Sequence, residues 1–285
     1  MLFTVLINNF NYSQYIAESI QSVLDQTFAD FELIIVDDGS TDMSREVIRL
    51  FTDPRIKTIF KPNGGQGSAF QAGIDLACGE YIAFLDSDDI WTCNKLEHIS
   101  RILTSYPEII LLQNSLLQIT TDGQSIGNNS IPKNHSGFYD PISDYKNLNH
   151  ELPFRPTSCI VGSTMACKRL SLHPEEWRID ADTPLLAGLS VLGQVYFLNE
   201  PLTHYRVHTT NATRNQTWWS IIYRIKRFYD SVNEHIEQQG ESQRFAFDKS
   251  DIYLDALICK IKWHTPRGIW LRLGKKVRDI KQMIR

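Results

Sequence analysis

FELIIVDDGSTD, residues 31–42, decides the fold. Its centre, Leu33-Ile34-Ile35-Val36, is apolar at every position and ends abruptly on Asp37 and Asp38. A strand without polar alternation is buried on both faces, as in a parallel sheet covered by helices. Gly39 suits a tight turn. Ser40, Thr41 or Asp42 can then cap a helix carrying Val47, Ile48 and Leu50.

The same grammar extends in both directions. FTVLI, residues 3–7, reads as a strand, and Ser13 to Leu24 has apolar residues at helical spacing. RIKTIF, 55–60, is a third strand. NGGQGSAF, 63–70, turns into a helix carrying Ala69, Gly73 and Leu76, and YIAFLD, 81–86, is a fourth strand. Alternation at this spacing implies an α/β fold with a mostly parallel central sheet flanked by helices. Ligands bind such sheets at the carboxyl ends of the strands.

KLEHISRILTSY reads as a helix leading to a strand around Ile109 to Gln118. Residues 121–158, rich in Asn, Gly, Pro and Ser, read as loops and weak strands facing an acceptor. A strand near Cys159 to Cys167, a helix near Thr183 to Leu192 and a strand over 196–208 follow. The expected organisation is a catalytic domain over 1–215, its donor part over 1–120 and acceptor part over 121–215, with a helical extension over 216–285.

Composition narrows the function. The chain has 285 residues, 42% hydrophobic and 22% charged, which is ordinary for a globular protein. Its formal net charge of -4 argues against a nucleic-acid binder, which must neutralise phosphates. The five cysteines form no C-x-x-C pair and read as free thiols of a reducing compartment. The opening MLFTVLINNFNY has no basic region and reaches Asn8 too soon for a secretory leader, so a cytoplasmic location is expected. No stretch is apolar for the ~20 residues of a membrane span. The stretch 260–285 mixes Lys and Arg with Trp263 and Trp270, a pattern suited to peripheral membrane contact or to packing on the catalytic domain. A homo-oligomer is compatible with all of this.

Three strand ends carry polar residues that would converge on one crevice. In VDDGSTD, Asp38 is the candidate for a nucleotide and Asp42 for a helix cap. In FLDSDD, 84–89, three carboxylates within four residues repel one another, and a divalent cation relieves that repulsion. Asp86 and Asp88 are the candidates for ribose and metal contact, and Asp89 can instead cap a helix. The glycine segment lacks the P-loop lysine; Gly65 and Ser68 can border a donor at a helix start, or form a plain bend. Asp182 and Asp180 precede an apolar helix; one can take a proton from an acceptor, or Asp182 can cap the helix. His204, Arg206 and His208 share one face of a strand. Arg206 can pair with a diphosphate, and His208 with metal or phosphate or serve structurally.

Taken together, VLINNFNYSQYI, FELIIVDDGSTD, KPNGGQGSAFQAG, GEYIAFLDSDDIW, ADTPLL and EPLTHYRVHTTN resemble the family 2 glycosyltransferases over residues 3–211. The resemblance implies the GT-A fold and an inverting transfer from a nucleotide sugar, UDP-linked by preference, to a glycan or lipid-linked hydroxyl. It implies a cofactor of Mn2+ or Mg2+. It places Asp38 on the base, with Asn8, Phe10 and Asn11 nearby, Asp86 near the ribose, Asp88 on the metal, and Asp182 as general base with Asp180 as runner-up. Trp91 and Arg206 fall in the diphosphate or acceptor region. The chain departs from the family's P-x-Y-N with Asn8-Asn9-Phe10-Asn11, carries Gln71 where asparagine is common, and has Ala181 before the base. A nucleotidyltransferase of related shape and a silent binding module are the competing classes. The first wants a basic glycine-rich segment after the first strand, where this chain has NNFNYSQY. The second is disfavoured by retention of the four carboxylates.

Overall fold

The computed structural model describes residues 1–129, 136–140, 156–170 and 177–209, together with Leu172, Glu175 and Asn211. The expected helical extension over 216–285 and its membrane-facing tail lie outside the described residues.

The amino-terminal part follows the strand–helix alternation: β1 (Phe3–Asn9), α1 (Ile16–Leu24), β2 (Phe31–Asp37), α2 (Ser44–Arg49), β3 (Ile56–Phe60), α3 (Gln66–Leu76) and β4 (Tyr81–Asp86). Then come β5 (Ile90–Trp91), α4 (Lys95–Ser105), β6 (Ile109–Ile119), β7 (Ser125–Asn129) and β8 (Gly137–Tyr139). A 3-10 turn (Thr157–Cys159) leads into β9 (Ile160–Ser163), α5 (Thr164–Arg169), α6 (Asp182–Leu192) and β10 (Gln194–Arg206). One sheet runs in the order β3-β2-β1-β4-β9-β6-β10-β5, with β7 on β6 and β8 on β10.

The four strands β3, β2, β1 and β4 are mutually parallel. β9 runs antiparallel to both β4 and β6, whereas β6 and β10 are parallel. The strand expected from Cys159 to Cys167 is therefore half strand and half helix, because the chain turns at Ser163 into α5. Two apolar layers cover the sheet. One joins Val5, Ile7, Leu33 and Ile35 to Ile16 and Ile20 of α1 and Leu96 and Ile99 of α4. The other joins Leu6, Ile34, Val36 and Phe84 to Phe70 and Ile74 of α3 and Leu185 and Leu189 of α6. Alternate residues of β1 and β2 thus enter opposite layers, which explains why these strands carry no polar positions in their centres. Cys78, Cys93, Cys159 and Cys167 form no disulfide among the described residues, and Cys259 lies outside them.

β1 leads to β2 on one side and pairs with β4 on the other. That reversal is a topological switch point, where open α/β sheets make their crevice. The register sets Asn8 opposite Asp86 and Asn9 opposite Asp37. Asp37 then fixes the turn after β2. Its carboxylate accepts from Asn9 Nδ2 at 2.9 Å, the Ser40 backbone N–H at 3.1 Å and Arg45 Nε at 2.7 Å. Gly39 follows at φ 81, and a Cβ there would lie 2.5 Å from the Asn63 nitrogen, so only glycine fits the turn.

Burial works to raise the pKa of Asp37, but hydrogen bonds from Ser40, Arg45 and Asn9 outweigh it and hold the group below the usual 3.8. A depressed carboxylate stabilises the fold fully above its unfolded-state pKa, and that contribution is lost as the pH falls through the folded value. Asp37→Asn should therefore destabilise the protein at neutral pH by about 1–3 kcal/mol. Urea titrations of the two proteins should converge between about pH 5 and pH 2. A gap independent of pH would show that the charge is not what Asp37 contributes.

Candidate active site

The first side of the crevice is a strut between the first two strand ends. Asn11 adopts φ 59, and its Oδ1 accepts from the Thr41 N–H at 2.8 Å while its own N–H reaches Ser40 Oγ at 2.9 Å. Asn11 thus holds the 38–42 turn. Phe10 beside it is exposed. Asn8 reaches the Asp86 carboxylate with its side chain. Its Oδ1 is buried without a partner among the described residues.

Asp38 is buried and grips the glycine loop. It accepts from Lys61 Nζ at 2.6 Å, Gly64 N–H at 2.9 Å and Gly65 N–H at 2.6 Å. Three of the roughly four acceptor positions of a carboxylate are thereby taken. Gly65 has φ 89, and a Cβ on it would sit 2.5 Å from Arg178 Cα. The segment before α6 packs that closely. The Gln66 and Gly67 N–H groups at the start of α3 donate to the Arg178 and Trp177 carbonyls, both at 2.9 Å, and the Ala181 N–H donates to Gln66 Oε1. The helix start beside Ser68 is occupied by protein, so it is not the anion cradle that the glycine segment suggested. Asp180, at φ 57, and Asp182, the first residue of α6, follow directly on this packed segment. Asp182 lies near enough to Asp86 to raise its pKa.

The DSDD turn is the centre of the site. Asp86, Asp88 and Asp89 each offer a carboxylate oxygen, and these lie within 4.8 Å of one another. Burial, then the neighbouring carboxylates of Asp88 and Asp182, pushes Asp86 up to about 8. Burial, Asp88 and Asp86 push Asp89 well above the ordinary range. Tyr12, which faces the turn, is raised by burial and by the charges of Asp88 and Asp86. Three carboxyl groups in so small a space can all be ionised together only with a cation among them. Mg2+ or Mn2+, hard cations that take oxygen ligands, would suit such a cluster. The donor set, hard oxygens with one imidazole, fits such an ion.

The three carboxylates are not equivalent. Asp89 is 1% exposed and does not cap a helix. Its Oδ2 accepts from Ser158 Oγ at 2.5 Å and its Oδ1 from the Arg206 N–H at 2.8 Å. Asp88 meets His208, whose Nε2 is 2.9 Å from Asp88 Oδ2. Tyr12 and Tyr15 hold that imidazole, with ring centroids 5.6 and 4.9 Å away, and Asn211 Nδ2 is 3.2 Å from its Nε2. The candidate metal ligands are thus Asp88 and His208, with Asp86 beside them and Asp89 as anchor.

Three sequence expectations are corrected. Arg206 was expected at the diphosphate, but it is 1% exposed and braces the turn. Its Nε donates to the Asp88 carbonyl at 2.9 Å, Nη1 to the Thr121 carbonyl at 2.7 Å and Nη2 to Glu18 at 2.6 Å. Trp91 was expected to face the acceptor, yet it lies in the core with Nε1 donating to the Ser158 carbonyl at 2.9 Å. His204 falls on β10, but His208 lies beyond its end, so the three basic residues do not form one strand face. Sequence reading also missed Ser158 and Lys95. The lysine is fully buried, and its only sequence signal is its place at the start of α4, shortly after the acidic cluster.

Arg206→Met should leave the Asp88 and Thr121 carbonyls unpaired, at about 1–3 kcal/mol each. Glu18→Gln should cost far less, because the Glu18 side chain is 57% exposed. Thermal unfolding separates the outcomes. Wild-type stability of Arg206→Met with weakened nucleotide binding would return Arg206 to the diphosphate.

Comparison with known proteins agrees with this geometry. The family model described as "Glycosyl transferase family 2" matches residues 4–171. An uncharacterized glycosyltransferase of Nostoc sp. is 36% identical over 217 residues, 74% of this chain and 66% of the relative, so the matched stretch spans just under two thirds of that protein. A UDP-Glc:alpha-D-GlcNAc-diphosphoundecaprenol beta-1,3-glucosyltransferase of Escherichia coli is 38% identical over 132 residues, 46% of this chain and 49% of the relative. Among solved structures, residues 1–349 of S. aureus TarS in complex with UDP-GlcNAc superpose with a TM-score of 0.65 at 16% identity, covering 92% of this chain and 81% of that one. At that identity the likeness concerns the fold. No helix among the described residues is long and apolar enough to cross a membrane.

Proposed function

The chain belongs to glycosyltransferase family 2, and from that premise we propose that it inverts the anomeric carbon of a UDP-sugar while transferring the sugar to a hydroxyl of a glycan or lipid-linked acceptor. The observation that carries this reading is the convergence of Asp86, Asp88 and Asp182 at the switch-point crevice, with His208 on Asp88. The donor class is supported by the Escherichia coli relative and by the TarS complex, whose names give UDP-Glc and UDP-GlcNAc. The acceptor class is supported by the first of these, whose acceptor is diphosphoundecaprenol-linked.

In this reading Asp38 contributes its remaining acceptor position to the base, and Asn8 offers its unpartnered Oδ1 to the donor. Gly65 and Ser68 act through the loop that Asp38 organises, and Asn11 and Phe10 flank the nucleotide. Asp86 faces the ribose. Asp88 and His208 would hold Mn2+ or Mg2+, which would offset charge on the departing diphosphate. Asp182 takes the acceptor proton as the hydroxyl oxygen attacks the anomeric carbon. The bond from that carbon to the diphosphate oxygen breaks with its electron pair leaving on UDP. Asp180 is the runner-up base. A weakly basic carboxylate suffices, because the hydroxyl becomes acidic only as the new bond forms. The basic stretch 260–285 would suit an enzyme working beside an anionic leaflet.

Two measurements bear on the roles. Asp88→Ala should abolish transfer and raise the Mn2+ concentration needed for UDP binding, with the circular dichroism spectrum unchanged. Unaltered metal dependence would remove Asp88 from the metal. Asp182→Asn should lower turnover by about 10²–10⁴-fold with donor affinity nearly kept. Activity surviving in Asp182→Asn but lost in Asp180→Asn would reverse the assignment of the base.

A further inference from the structure

Ser158 stands where three parts of the molecule meet, 69 residues from Asp89 and 63 from Lys95 in sequence. It belongs to the 3-10 turn before β9, the strand whose antiparallel pairing on β4 ends with Val161 opposite Ala83. Its side chain is two-sided. Oγ accepts the Asp86 N–H at 3.0 Å and donates to Asp89 Oδ2 at 2.5 Å. One hydroxyl thus spans the acidic turn from its first carboxylate residue to its last. The preceding Thr157 adds a side-chain hydrogen bond to the Asp86 carboxylate.

The backbone of Ser158 is held as tightly. Its carbonyl oxygen receives three donors: Lys95 Nζ at 2.6 Å, Trp91 Nε1 at 2.9 Å and Thr203 Oγ1 at 3.0 Å. Lys95 is 0% exposed, lies 4.1 Å above the Trp91 ring and also donates to Thr203 Oγ1 at 3.0 Å. No ion pair of Lys95 appears among the described residues. A buried ammonium without a carboxylate partner is costly, and burial pushes this one down to about 7. The core layer around it holds Leu96, Ile99, Leu112 and Leu202, so an apolar side chain would be the cheaper occupant. What the lysine does there is clamp one peptide carbonyl.

We propose that Ser158, clamped from beneath by Lys95, is a positioning residue that sets the spacing of Asp86 and Asp89 and so pre-forms the metal site at Asp88. The inference rests on the metal-dependent reading given above. The physical reason is the repulsion within the turn. Left alone, three carboxylates within 4.8 Å would splay apart. The Ser158 hydroxyl ties the two outer residues together, and the clamped carbonyl prevents the hydroxyl from following them outward. Groups that orient the ligands of a metal without touching it typically change its affinity by about 10–100-fold when removed.

Mn2+ titration followed by electron paramagnetic resonance tests this without requiring turnover, using the whole chain with UDP and without acceptor. Ser158→Ala should raise the Mn2+ dissociation constant by about 10–100-fold. Its far-ultraviolet spectrum should be unchanged and its nucleotide binding at saturating Mn2+ should be close to wild type. Lys95→Met should shift the constant in the same direction by a smaller factor, since the Trp91 and Thr203 donors remain. Ser158→Cys, which keeps a weak donor and acceptor in nearly the same volume, should fall between wild type and Ser158→Ala. A Mn2+ constant for Ser158→Ala equal to wild type overturns the proposal. So does failure of both Ser158 variants to fold, which would make the residue a stabiliser of the fold only. If wild type itself binds no Mn2+ in the presence of UDP, the metal-dependent reading fails instead.

Discussion

Three acidic side chains within 4.8 Å of one another, at the buried end of a strand, are the constraint around which the rest of the molecule is arranged. Water cannot screen them well there, so their repulsion is felt nearly in full. Relief comes from two directions. On the closed side, protein donors engage Asp89 at both oxygens. On the open side, Asp86 and Asp88 face the crevice, where a cation and a diphosphate would complete the charge balance. Burial and the neighbouring carboxylates raise both Asp86 and Asp89, so a cation in the crevice would favour their ionised forms.

The donors that hold the closed side come from distant parts of the chain. Arg206 closes β10 and reaches back 118 residues to the Asp88 carbonyl. Ser158 opens β9 and reaches back 72 residues to the Asp86 nitrogen. Ser19 of α1 lies against the carbonyls of Ser87 and Asp89. The acidic turn is therefore assembled only when both halves of the sheet are in place. This gives β9 its role: by running antiparallel between β4 and β6 it carries the Ser158 turn to the end of β4.

The fold was largely legible because its signals are local. Apolar runs that end on acids marked β2 and β4, and helical spacing marked α1 and α4. Where the reading slipped, tertiary context had decided. The stretch from Cys159 to Cys167 opens with the β-branched Ile160 and Val161, yet α5 begins at Thr164, where the chain leaves the sheet to pack on α3 and α6. The site was legible as a set of acids but not as a division of labour. Nothing local separates Asp37, which locks the turn, from Asp38, which grips the glycine loop, or Asp88 from Asp89. Their partners, Arg45, Lys61, His208 and Ser158, are set by packing. Arg206 was misread for the same reason: an arginine near a diphosphate site looks like a ligand until its three protein partners are seen.

Membership of glycosyltransferase family 2 places the chain among enzymes that move sugars, and the geometry says how the charges of such a transfer could be managed here. The central claim is that a divalent cation sits on Asp88 beneath the donor diphosphate. Anomalous scattering from crystals grown with Mn2+ and UDP tests it most directly. The expected result is one manganese peak at about 2.1–2.3 Å from Asp88 oxygen, with the diphosphate on its far side and His208 within reach. UDP seated in the crevice with no manganese at Asp88, or with the ion held only by other residues, would contradict it.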